Sequence, residues 1–263
     1  MRVIDIHRHI GLAHDECDLF EVPPRDGFDR WIASAPADDG VESLAMPPTF
    51  YALPNGLEDT ARLNDLMAAW RRARAPGCVA AFGVVEPHHG DAALPEVDRV
   101  AALGLKGLAW RHRAHGVFAD VPVMARFVER AAAHNLVLAL HASGHSGNEA
   151  IWRLWYLAEE FPSAVFVALG AFGDFEQQEE ILNNANRAPN LRYDLADLRG
   201  AHDLKRLVGA LGAHRLLFGA GAHDAGAARV AASHHRLVLE SPVSDAAKEQ
   251  ILWRNAAALL GLA

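Results

Sequence analysis

Short apolar runs alternate with amphipathic stretches along this chain, and that alternation restricts the fold more than any motif does. The runs are Val3–Gly11, Gly40–Met46, Cys78–Val85, Lys106–Trp110, Leu136–His141, Ala164–Gly170, Asn190–Leu195 and Arg215–Gly219. Between them lie segments with helical spacing: Phe28–Ala35, Leu57 onward to Arg74, Leu94–Leu103, Val121–His134, Asn148–Phe161, Phe175–Ala188 and Ala201–Leu211. Two further helices, Ala225–Leu239 and Asp245–Leu260, end the chain, the second with Ser244 as its N-cap. Buried strands alternating with helices of roughly 10–15 residues build βαβ units and a parallel sheet. Eight such units without a linker, repeat or low-complexity break predict an α/β protein, a single (β/α)8 TIM barrel over residues 1–263. An apolar fraction of 51% is enough to fill its core.

In a barrel of this kind chemistry gathers at the C-terminal ends of the strands. The first strand reads Val3-Ile4-Asp5-Ile6-His7-Arg8-His9-Ile10-Gly11. With a side-chain period of two, Asp5, His7 and His9 share one face, and Ile4, Ile6 and Arg8 the other. Two imidazoles one pleat apart can turn ring nitrogens to a common point, and imidazole is the commonest metal ligand among side chains. His141 ends the fifth strand, the run Arg111-His112-Arg113-Ala114-His115 follows the fourth, and His223 and Asp224 follow the eighth. The chain holds 15 histidines, and position decides which matter. His234 and His235, in an outer helix, read as solvated.

Composition removes several classes. A net charge of −8 and a sequence pI near 6.0 argue against a nucleic-acid or membrane-surface binder. Arg71, Arg72 and Arg74 close a helix, where the dipole favours cations. No run reaches the ~20 apolar residues of a membrane span, and no leader pattern precedes the first strand. Only Cys17 and Cys78 are present, so a reducing cytoplasm is the expected home. Cys17 has no neighbour in sequence that would activate it.

The pieces Asp5-Ile6-His7-Arg8-His9, Gly104-Leu105-Lys106-Gly107-Leu108, Leu138-Ala139-Leu140-His141-Ala142, Leu217-Phe218-Gly219 and Ile251-Leu252-Trp253-Arg254-Asn255-Ala256-Ala257 resemble the amidohydrolase superfamily, in its branch of compact metal-dependent hydrolases and decarboxylases. The resemblance implies a barrel with one divalent metal held by the strand-one pair and the strand-five histidine. It also implies a small carboxylated substrate, either hydrolysed at a lactone or amide bond or relieved of carbon dioxide. Two positions depart from the pattern. The strand-six histidine is replaced by Ala171, and the strand-eight aspartate, which binds metal or moves protons, by Gly221.

Three neutral imidazoles suffice for zinc and leave one position open. A metal-bound water has a pKa near 7, so hydrolysis of a carbonyl is expected even without a strong protein base. The expected set is therefore His7, His9 and His141 on a divalent metal, zinc, with Asp5 orienting a ligand or bonded to backbone. His223 or Asp224 is expected to take over proton transfer, or to be a solvated pair. Arg111, with its bidentate fork, is expected to hold or act on an anionic small molecule. His112 and His145 are further substrate contacts, although only one of Arg111 and His112 is expected to face inward. Alongside the hydrolase stand a decarboxylase of an unsaturated or aromatic acid and a degenerate barrel that binds without turnover. A homo-oligomer is compatible with the sequence.

Overall fold

The computed structural model describes residues 1–10, 41–47, 56–223 and 227–262, and within these the side chains of residues 114, 222, 223, 227 and 228 are not described. The loop expected over Leu12–Pro24, the helix over Phe28–Ala35, Cys17 and Asp224 lie outside that set. Nine strands are described: β1 Ile4–His9, β2 Glu42–Met46, β3 Cys78–Ala81, β4 Gly107–Trp110, β5 Val137–His141, β6 Val165–Leu169, β7 Leu191–Asp194, β8 Leu216–Leu217 and β9 Ala222–His223. Every pairing is parallel, in the orders β3-β2-β1-β9 and β4-β5-β6-β7-β8.

Backbone hydrogen bonds cross the two seams between these sheets. At one, Gly83 N donates to Gly107 O (2.9 Å) and Ala109 N to Gly83 O (2.9 Å). At the other, Ile6 N donates to Phe218 O (3.0 Å) and Gly221 N to His7 O (3.0 Å). The result is the expected parallel α/β barrel, with its eighth strand interrupted at Gly219–Gly221 and resumed as β9.

Side-chain parity sorts two cores. Ile4, Ile6, Leu44, Phe82, Ala109, Ala139, Val167, Leu169 and Leu217 pack inside the barrel, where Ala256, Ala257 and Leu260 of the helix Asn255–Leu260 join them. Leu108, Leu138, Leu140, Phe166 and Tyr193 point outward onto Phe127, Leu154, Trp155 and Leu207 of the surrounding helices. A fully buried side chain of this size contributes roughly 1.5–3 kcal/mol, so both layers stabilise the barrel.

Two buried charged groups complete the strand joins. The Asp5 carboxylate accepts from His7 N and Ala220 N (both 3.0 Å), pinning β1 to the end of β8. Arg215, 5% exposed, donates to the carbonyls of Ala185 (2.6 Å), Ala188 (2.8 Å), Leu191 (3.0 Å) and Arg187 (3.1 Å), tying the segment before β7 to β8. Among the described residues no helix is long and apolar enough to cross a membrane.

Candidate metal centre

β1 does not run with a single period. Its pairing with β2 shifts register between Asp5 and Arg8. Ile4 and Ile6 therefore fill the barrel interior, while His7 and His9 line the cavity at its C-terminal mouth. Asp5 does not reach an imidazole ring. Both its hydrogen bonds come from backbone, so of the two expected roles it has the structural one.

β5 brings His141 to the same point. Ring centroids lie 5.0 Å apart for His7–His9, 5.2 Å for His7–His141 and 5.3 Å for His9–His141. One nitrogen from each ring falls within 4.8 Å of the other two. His7 Nδ1 donates to Asp194 Oδ2 in a short hydrogen bond. His9 Nδ1 donates to Pro47 O at 2.7 Å. A carboxylate or carbonyl oxygen only accepts, so each of these bonds places the ring proton on Nδ1 and leaves a lone pair on Nε2. The two Nε2 atoms then face each other at 3.0 Å. His141 Nε2 is buried without a hydrogen-bond partner. Three convergent imidazole nitrogens suit a divalent cation, since neutral imidazole is the ligating form and zinc–nitrogen bonds of about 2.0–2.1 Å bring ligands this close.

Electrostatics distinguish the rings. Burial and the neighbouring His7 and His9 hold the His141 pKa well below the ordinary histidine value, so that ring is neutral. Burial also works against a charged His7, but the Asp194 carboxylate outweighs it and the pKa rises. Asp194 is the outer partner that orients a ligand ring and fixes its tautomer. Its Oδ1 accepts from Gly170 N at 2.8 Å. No spacing in the sequence singles Asp194 out, because it meets His7 across 187 positions.

The lost strand-eight aspartate has a structural counterpart. A Cβ on Gly219 would stand 2.8 Å from Asp194 Oδ2 and 3.0 Å from His7 Cβ. Gly221 has φ +67°, and a Cβ there would meet Ala196 Cβ at 2.8 Å. The β8 backbone thus makes room for an acid delivered by β7. Ala171, at the other departure, is fully buried in the outer core.

Around the imidazoles opens a cavity of about 380 Å3. Arg111 lines it, half-buried, with Nε 3.9 Å from Glu149 Oε1. Arg199 lines it too and donates to Gly173 O at 2.7 Å. Asp197 stands at the same wall with φ +64°. Although water reaches it, partial desolvation and the nearby Asp194 raise its pKa. His145 is at the mouth, its side chain 73% exposed and its Nε2 3.6 Å from Asp174 Oδ2.

His112 goes elsewhere. It starts a short helix, His112–His115, and is fully buried outside the cavity lining, with its pKa pushed down to about 3 by burial and by His115. Of the pair Arg111 and His112, the arginine faces the cavity. The His223 backbone pairs with His9 in β9, and Asp224 lies outside the described residues. Burial pushes the Cys78 thiol up to about 11, which removes it as a nucleophile.

The amidohydrolase family model matches residues 4–262. The chain belongs to that family. Among curated proteins no sequence relative matches. Solved structures give the same fold at low identity. The 5-carboxyvanillate decarboxylase of Sphingomonas paucimobilis has a TM-score of 0.72 at 17% identity, covering 100% of this chain and 99% of its own. The 2,6-dihydroxybenzoate decarboxylase of Rhizobium gives 0.73 at 16%, covering 99% and 98%. A dihydroxybenzoic acid decarboxylase of Polaromonas sp. JS666, with bound manganese and 2-nitroresorcinol, gives 0.68 at 14%, covering 99% and 97%. This amidohydrolase-family barrel therefore carries an imidazole triad suited to a divalent metal.

Proposed function

We propose that the chain is a metal-dependent enzyme acting on a small carboxylate-bearing compound, and that it decarboxylates a compact aromatic or unsaturated acid. His7, His9 and His141 would hold the cation, zinc on the expectation from the ligand set. When bound, a divalent ion supplies Lewis-acid polarisation of a carboxylate or carbonyl oxygen. Arg111 and Arg199 hold the acid by charge-assisted hydrogen bonds. Breaking the carbon–carbon bond releases carbon dioxide and leaves the electron pair on the substrate carbon. Asp197 donates its proton to that carbon and recovers one from solvent, which reaches it.

The observation that carries this reading is where the protons around the triad are. His7 Nδ1 and His9 Nδ1 are already committed to Asp194 and Pro47. Each Asp194 oxygen accepts a bond, and Gly221 offers no side chain. Asp197, in the cavity wall, is the carboxylate that can move a proton there, and its raised pKa supports a donor. Three solved neighbours with decarboxylase names support the same choice. Hydrolysis through an activated water is the second reading, favoured by the family's own description.

The test is a panel of hydroxybenzoates and short unsaturated acids, beside lactones and amides of similar size, with carbon dioxide and hydrolysis products both measured. Carbon dioxide released from an acid supports the proposal, and cleavage of esters or amides alone replaces it with hydrolysis. With the active compound in hand, Asp197→Asn should lower kcat by about 100- to 10,000-fold, the usual range for a general acid. It should also abolish the fall in activity as pH rises through the Asp197 pKa, because only the protonated carboxyl donates. Loss of turnover in His223→Ala or Asp224→Asn, with Asp197→Asn unaffected, moves the proton-transfer role to the end of β9.

A further inference from the structure

At the opposite mouth of the barrel lies a cavity of about 520 Å3, between the N-terminal ends of β5, β6 and β7 and the helix Asn255–Leu260. Its size is within the range of small-molecule sites. Leu136, Val137, Val165 and Leu259 give it apolar walls, Asn135, Ser163 and Asn255 add neutral polar groups, and Arg192 and His214 bring the basic side chains. No carboxylate lines it.

Arg192 donates Nη1 to Pro189 O at 2.9 Å, and among the described residues no acidic side chain forms an ion pair with its guanidinium. Partial burial and the neighbouring Arg215 both pull its pKa down. Arg215 gives no relief. It is buried, its donors are spent on four backbone carbonyls, and it too has no carboxylate partner among the described residues. Two guanidiniums in a partly desolvated place create a positive potential that an anion would offset. Arginine's planar fork fits a carboxylate with two parallel hydrogen bonds. The apolar walls favour an anion with a carbon body over a bare inorganic one.

We infer that this mouth is a second binding site, for a compact organic carboxylate seated with its charge on Arg192 and its apolar part against β5, β6 and the terminal helix. It lies at the opposite end of the barrel from the imidazole triad and is independent of the reaction assigned there.

The experiment is a calorimetric titration with benzoate in a chelator, using the Arg111→Met/Arg199→Met protein so that the other cavity lacks both of its lining arginines. Saturable binding of about one equivalent is expected. Adding Arg192→Met should weaken it at least about tenfold, the effect of losing a hydrogen-bonded charge. Ala258→Trp, placed on an exposed position of the helix that borders the cavity, should block it whether or not Arg192→Met folds. Absence of saturable binding, or binding that survives Ala258→Trp or a folded Arg192→Met, overturns the site. Inorganic phosphate binding as tightly as benzoate overturns the organic class.

Discussion

The two halves of the barrel's C-terminal rim differ in how they place polar groups. The half built by β1 and β5 presents imidazoles directly, and three of their nitrogens converge within 4.8 Å. The half built by β6, β7 and β8 presents Ala171 and Gly221 where the family resemblance leads one to expect a histidine and an aspartate. Its carboxylate comes instead from the end of β7, as Asp194 bonded to His7. A site can therefore lose an acid from one strand and still hold a carboxylate nearby, provided a neighbouring strand supplies it and glycine makes room. The substitute does a different task, because it orients a ligand ring rather than standing beside the substrate.

The sharpest way to break this comparison is Asp194→Asn. An amide oxygen can still accept from His7 Nδ1, but without the charge that raises the basicity of the ring. Metal affinity should fall by roughly 10–100-fold, the usual cost of losing an outer partner. Equilibrium dialysis measures it, and an unchanged affinity would mean that the β7 carboxylate is only structural.

Next in size is Gly221→Asp, which returns an acid to strand eight. The left-handed backbone costs an L-residue roughly 1–2 kcal/mol, and its Cβ would stand 2.8 Å from that of Ala196. Thermal unfolding should show the loss, without tighter metal binding. A variant that is as stable as the parent and binds metal better would show that the two halves are interchangeable.

The smallest effect is expected from His145→Ala. The side chain is 73% exposed and its ion pair with Asp174 is long, at 3.6 Å, the sort of contact worth about 0–1 kcal/mol. KM for the active compound should change by no more than about fivefold. A larger change would move His145 from the rim into the binding face.

The same contrast explains what the sequence disclosed. The barrel was legible because each strand's apolar run and each helix's spacing are local. His7, His9 and His141 were legible because strand parity and strand ends are local too, and Arg111 was placed beside them by the same argument. Asp194 was not, since a single acid ending Leu191-Arg192-Tyr193-Asp194 acquires meaning only when the closed barrel brings β7 against β1. Asp197 was hidden in a turn whose left-handed conformation no residue type announced. The burial of His112 followed from the short helix that begins immediately after β4, which the run of basic residues there did not announce. The register shift in β1 arises from pairing with β2, so strict alternation put Asp5 behind the histidines when its carboxylate in fact serves backbone amides.

The central claim is that imidazoles from β1 and β5 jointly hold one divalent cation. Elemental analysis after saturation with zinc or manganese and removal of excess, on the parent and on a His7→Ala/His141→Ala protein of matched circular dichroism, tests it most directly. About one equivalent in the parent and almost none in the variant is the expected result. A parent that retains no metal, or a variant that retains the full equivalent, would contradict it.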